Sequence, residues 1–179
     1  VLNGKRVLGP EDDILAIKNA FAVYQMLPEL DPFSINDLKK AHGVMMSGLV
    51  EGAGELRPAS VGVINEQGKV LHVAPPHGMV NGLMEQLFDW LKTSKTQMLI
   101  RSSIFHYEFE FIHPFTDGNG RTGRLWQTAL LASWKPSFEW IPIESIIKDN
   151  QEEYYSASGR STSEGKSNRF ILLMIGVMK

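Results

Sequence analysis

The chain has 179 residues, no cysteine and a formal net charge of -2. That balance excludes a broad basic field for nucleic acid, and the missing thiols exclude disulfides, thiolate metal sites and a cysteine nucleophile. The most apolar stretch, FILLMIGVM at 170–178, is too short for a membrane helix, which needs roughly 18 residues. The expectation is one cytoplasmic domain that binds neither membrane nor nucleic acid.

In chain order, residues 11–27 (EDDILAIKNAFAVYQML) predict a helix. Its acids crowd the first turn, where the dipole favours negative charge, and Ile14, Ile17, Phe21 and Tyr24 recur three and four apart. Pro28 closes it. A second helix is expected over 34–47, with Ser34 able to cap, Asp37 three residues on, and Ile35, Leu38, Val44 and Met45 on one side. Residues 48–58 form a glycine-rich connector. Val61 and Val63, a turn around Asn65 to Gly68, then Val70, Leu71 and Val73 predict a hairpin ended by Pro75 and Pro76.

Helix resumes over 79–92. The span 96–112 is apolar on much of its circumference (Met98, Ile100, Phe105, Phe109, Ile112), as a central helix is, and Pro114 stops it. Further helices are expected over 121–134, 143–158 and 168–178. The fold class is all-α with one inserted β-hairpin.

The stretch HPFTDGNGRTGR, 113–124, carries the chemistry. Gly118, Asn119 and Gly120 make a loop that adopts positive φ without strain, turning successive N–H groups toward one point as a nest for anions. The following helix adds its free amides and partial positive charge. Arg121 and Arg124, three apart, share a helix face and fit phosphate oxygens. Asp117 beside a polyphosphate suggests Mg²⁺, which takes one or two carboxylates plus phosphate oxygens. His113 suits proton abstraction near neutral pH, and Phe115 should point inward and pin the loop. Base, metal ligand, nest and clamp together form an inventory for phosphoryl or nucleotidyl transfer.

The same string resembles the signature HPFx(D/E)GNGRxxR of Fic-domain proteins at every specified position. FEFIHPF (109–115), GRLWQ (123–127) and the upstream LRPASVGVI and GLMEQLFDWL extend the resemblance over about 11–178, a single Fic domain. It implies a helical bundle with a flap hairpin, and a protein adenylyltransferase that moves AMP from ATP, with Mg²⁺, to a Ser, Thr or Tyr hydroxyl and releases pyrophosphate. It further implies that His113 is the catalytic base and Asp117 the metal ligand. Gly118, Asn119 and Gly120 would cradle the phosphates, Arg121 and Arg124 would grip the β and γ groups, and Tyr155 or Tyr154 would contact the adenine. The partners implied are ATP and a target protein paired along the flap at about 60–73. Removal of AMP, transfer of another nucleotide, and a binding module without turnover stay open, as does a homodimer.

Several strings are expected to mean little. GRSTSEGKS (159–167) has five residues between its glycines where a P-loop needs four. His106 is read as packed, and His42, His72 and His77 as surface or packing residues. The region that commonly reads GDxxPF in the family is GKSNRF here, with Lys166 and Arg169 as departures. SGLVEG (47–52) fits the family's inhibitory string (S/T)xxxE(G/N), whose glutamate pairs with the second motif arginine, yet sits in the wrong place and is read as chance. VLNGKRVLGPEDDI (1–14) resembles what often follows the family's N-terminal inhibitory helix; if Val1 is a truncation, the resemblance implies an inhibitory glutamate just upstream.

Overall fold

The computed structural model describes residues 9–64, 70–141, 143–164 and 166–177. Helix α1 (Glu11–Gln25) opens on three acids, Glu11, Asp12 and Asp13. It stops short of residue 27 because Leu27–Glu29, with Pro28 near its start, winds into a 3-10 turn. The expected stripe is not the buried one. Val23 is fully buried, whereas Ile17 and Phe21 are 50% and 44% exposed. Helix α1 rests mainly on one neighbouring helix, and only the narrow strip that meets it is covered.

That neighbour is α2 (Ile35–Met45), capped as expected: the Asp37 N–H donates to Ser34 Oγ at 3.2 Å. Leu38, Ala41, His42 and Met45 face the core. After a run of turns, strands β1 (Gly62–Ile64) and β2 (Val70–Val73) pair antiparallel. Gly62 lies opposite Val73 and Val63 opposite His72, with an irregularity before Ile64. The expected turn at 65–68 falls outside the described residues.

Helix α3 (His77–Thr93) leads to α4 (Met98–Ile112) and α5 (Asn119–Trp134). As its all-round apolar surface predicts, α4 is central and packs on α3, α5 and the last helix. One core lies on its first side, where Phe88, Phe105 and Trp126 meet edge to face. Trp126 also donates its indole N–H to the Pro32 carbonyl at 3.0 Å, as a buried indole requires. A second core joins Tyr107, Leu131, Ile147, Tyr154, Phe170 and Met174.

The single helix expected over 143–158 is two, α6 (Ile143–Asp149) and α7 (Gln151–Glu164). They break at Asn150, whose side-chain amide donates to the Ile146 carbonyl at 2.8 Å; a side chain that bonds nearby backbone competes with the helical ladder. Residues 159–164 of the P-loop-like string are helical, so they form no phosphate loop. The last helix, α8, is Asn168–Val177; Met178 lies outside the described residues. Among the described residues no helix is long and apolar enough to cross a membrane.

Candidate active site

The junction of α4 and α5 is built from its backbone outward. Helix α4 ends at His113, which adopts the left-handed conformation (φ 51°, ψ 60°) and is the only described non-glycine residue with positive φ. That conformation costs about 1–2 kcal/mol for a residue with a Cβ, so its surroundings must hold it. Arg57 does: its Nε–H donates to the His113 carbonyl at 2.8 Å and its backbone N–H to the Pro114 carbonyl at 2.9 Å.

Phe115 is fully buried, as expected of a loop pin. Asn119 clasps it from both sides: Oδ1 accepts from the Phe115 N–H and Nδ2 donates to the Phe115 carbonyl, each at 2.9 Å. Asn119 as a whole is 2% exposed, and both ends of its side-chain amide are occupied by this clasp. On the other face of Phe115 lies His42, stacked at 3.7 Å between ring centroids. His42 takes the packing role of the two expected for it, with partners that the sequence does not name. Its Nδ1 accepts from the Gly54 N–H at 2.8 Å, which puts the hydrogen on Nε2, and Nε2 donates to the Asp117 carbonyl at 2.9 Å. Burial pushes its pKa down, in keeping with this neutral form.

Gly118 has φ 79°, and a Cβ there would sit 2.5 Å from Met46 Sδ, so both conformation and space require glycine. Its N–H donates to Asp117 Oδ1 at 2.6 Å. The N–H groups of Asn119, Gly120 and Arg121 then begin α5 ahead of its hydrogen-bond ladder, which starts with Thr122 donating to Gly118. These three amides are the candidate nest, and the Gly118 N–H, already on Asp117, is not among them. Asp117 Oδ2 lies 3.8 Å from Arg121 Nη2, both partly open to solvent. Arg124 donates through Nε to Glu144 Oε2 at 2.5 Å. Its Nη1 would lie 3.0 Å from a Cβ placed on Gly120, so the guanidinium folds over the helix start.

A cavity of about 390 Å³ opens beside this clamp, lined by Arg124, Glu144, Lys148, Gln151, Tyr154 and Tyr155, a size suited to a small ligand. The two tyrosines divide. Tyr154 is buried and its hydroxyl bonds His106 Nε2 at 2.9 Å, while Tyr155 is 53% exposed. His106 is packed as expected, its Nδ1 on Gln127 Oε1 at 2.6 Å, and burial pushes its pKa down to about 3. Glu110, one turn before His113, carries a buried oxygen without a hydrogen-bond partner, 3.9 Å from His106 Nε2, and burial pushes its pKa up to about 7.

His113 is half-buried. Its Nδ1 is buried without a hydrogen-bond partner. Burial lowers its pKa, the Glu110 carbonyl pulls it partly back up, and the nearby His72 and Arg57 lower it further against a weaker upward pull from Asp117. An imidazole kept neutral at physiological pH is ready to accept a proton. His72 also has a partner the sequence did not suggest, the Phe111 carbonyl at 2.7 Å. His77 is exposed, as expected. Glu51 of the SGLVEG string is exposed in a turn, and Arg124 pairs with Glu144 instead. Lys166 and Arg169 are exposed at the entry to α8.

Residues 32–131 match the model of the Fic/DOC family. A relative from Aquifex aeolicus named "Probable protein adenylyltransferase" is 38% identical over 92 residues, 51% of this chain and 26% of that protein. The protein adenylyltransferase fic-1 of Caenorhabditis elegans is 32% identical over 136 residues, 72% of this chain and 24% of its own length. The crystal structure of a Fic family protein from Desulfovibrio desulfuricans superposes with a TM-score of 0.94 at 44% identity, covering 98% of this chain and 54% of that one. The chain thus spans about a quarter of these curated relatives. With the motif residues 113–124 at the α4–α5 junction, the family model matched over more than half its length and the fold shared throughout, the chain belongs to the Fic/DOC family.

Proposed function

We propose that this chain is the catalytic part of a cytoplasmic protein adenylyltransferase, moving AMP from ATP to a Ser, Thr or Tyr hydroxyl of another protein. The observation that carries the reading is the imidazole of His113 held one loop away from the first amides of α5 and from two arginines. In this reading His113 Nε2 takes the proton of the target hydroxyl. The hydroxyl oxygen forms a bond to the α-phosphorus as the bond from that phosphorus to the α–β bridging oxygen breaks, and pyrophosphate leaves. The amides of Asn119, Gly120 and Arg121, with the guanidinium groups of Arg121 and Arg124, bind the phosphates. Tyr155 and the cavity beside Arg124 take the adenosine.

Asp117 offers one exposed carboxylate at the rim of the nest. Among the described residues no cluster of three or more acids or histidines forms a metal cage. One carboxylate beside a phosphate site fits Mg²⁺ carried in on the nucleotide, where the ion would offset phosphate charge. The hairpin β1–β2 would hold an extended target segment along a free edge.

The test is mass spectrometry of a cell lysate treated with this protein, Mg²⁺ and ATP. A 5′-AMP adduct is expected, lost with His113→Ala while ATP binding persists. Undiminished adduct with His113→Ala refutes the base assignment. No adduct from ATP, with one from another nucleotide, moves the reading to a different transferred group.

A further inference from the structure

A helix leaves its last carbonyl oxygens without partners in its own ladder. At the end of α4 these are the carbonyls nearest the proposed base, and they are taken up by side chains from the hairpin region. His72 on β2 donates Nε2–H to the Phe111 carbonyl at 2.7 Å. Arg57 donates to the Ile112 carbonyl at 3.4 Å and to the His113 carbonyl at 2.8 Å. The same guanidinium reaches two more carbonyls, Ala59 at 2.7 Å and Pro75 at 2.5 Å, which stand just before and just after the hairpin. Its backbone N–H closes the set on Pro114 at 2.9 Å. Arg57 is 3% exposed, and among the described residues its partners are carbonyl oxygens, not a carboxylate.

Five donors in a rigid plane can serve four carbonyls at once; a lysine ammonium, a compact point charge with three donors, cannot. The geometry points to Arg57 as a positioning residue for the transfer reaction: it holds His113 in the left-handed conformation that presents the imidazole, and ties that conformation to the seating of the hairpin root. This rests on the transferase reading above. Among the described residues the hydrogen bonds of Arg57 go to the carbonyls of Ala59, Pro75, Ile112, His113 and Pro114 and not to the nest or the two motif arginines, so its loss should separate transfer from nucleotide binding.

The guanidinium also acts through its charge. The groups that bear on the His113 ring are Arg57 from the connector, His72 from β2 and Asp117 from the loop, with the Glu110 carbonyl from its own helix. Arg57 and His72 disfavour a proton on the ring, and Asp117 and the Glu110 carbonyl favour one. Removing the charge and removing the fork geometry are therefore distinguishable.

The experiment compares the parent chain with Arg57→Lys and Arg57→Met. It uses MgATP binding by calorimetry, AMP transfer rates, and the ¹H–¹³C NMR titration of the His113 ring. Both variants should bind MgATP within about twofold of the parent. In both, kcat should fall roughly a hundredfold, the loss that misplacement of about an ångström brings. Arg57→Met should raise the His113 pKa, while Arg57→Lys should leave it near the parent value yet remain slow. A lysine variant that transfers at the parental rate, or ATP binding lost in step with kcat, overturns the proposal. If the parent transfers no AMP, it is the transferase reading that fails. The NMR arm then decides alone: displaced His113 ring signals in both variants support the positioning role, and unchanged signals overturn it.

Discussion

Arg124 and Glu144 meet across α5 and α6 through Nε and Oε2 at 2.5 Å, which leaves both Nη nitrogens of the guanidinium outside the pair. Burial works to lower the pKa of Arg124, and the Glu144 carboxylate outweighs it, so the group stays firmly charged. Glu144 thereby fixes the stem side of the clamp while its fork stays available for phosphate. The pair is partly open to solvent, which discounts its worth to about 1 kcal/mol. Glu144→Ala should weaken MgATP binding about fivefold, with Glu144→Gln in between, read by calorimetry. Tighter binding in Glu144→Ala would instead mean that the carboxylate competes with the terminal phosphate.

Gly118 and Gly120 stand two residues apart and should fail differently. Gly118→Ala combines left-handed strain with a methyl pressed on Met46. The expected cost is about 2–4 kcal/mol of stability, read from urea unfolding. Gly120→Ala lies within α5, where alanine is favoured by up to about 1 kcal/mol, and its methyl meets Arg124 Nη1. Its stability should hold while MgATP affinity drops. A stable Gly118→Ala protein would contradict the packing described for the loop.

Acidification should destabilise the fold through its histidines. His42 and His113 have lowered pKa values and His106 lies near 3, all through burial. The unfolded chain binds their protons below about pH 6.5 and the native state resists them. Their contribution is therefore complete above that pH and is lost as pH falls through the native values. Glu110 has the opposite sign: burial raises it to about 7, so its contribution is complete below its unfolded value of 4.5 and lost as pH rises toward 7. Glu110→Gln should then raise Tm at pH 8, change little at pH 5, and steepen the loss of stability between pH 7 and pH 4. Parallel Tm profiles for parent and variant would rule out the raised carboxyl.

Asn119→Ala should be costly without touching any reacting atom. It leaves the N–H and carbonyl of Phe115 buried and without their clasp, at about 1–3 kcal/mol for each group. Chemical unfolding should show a loss of about 2–4 kcal/mol. A loss under about 1 kcal/mol would indicate that water replaces the amide.

The helical fold, the hairpin and the reactive set at 113–124 were legible in the sequence because each has a local signature. These are period and caps for the helices, branched residues about a turn for the hairpin, and spacing for the loop. The supports were not legible. Arg57 lies between Leu56 and Pro58 in a string that reads as connector, and its worth comes from carbonyls up to 56 residues away. His42 sits on the core side of α2 at helical spacing from Leu38 and Met45, a sign that it is buried, but nothing local names Asp117 as its partner. Glu144 and Glu110 read as ordinary helix acids until α5 brings Arg124 between them. The break at Asn150 was missed because an asparagine inside a polar helix ends it only when its side chain turns back on the ladder.

The underside of the loop is made by α2 and the residue that caps it, with His42 beneath Phe115 and Met46 beneath Gly118, while its shoulder is made by Arg57. Transplanting 113–124 onto another pair of helices would carry over the motif residues and the Asn119 clasp on Phe115, but none of these outside supports. A portable unit must reach at least from Ser34 to Glu144, so that α2, Arg57 and the partner of Arg124 travel with the loop, and a graft should be judged by whether it reproduces the backbone at His113 before any assay is attempted.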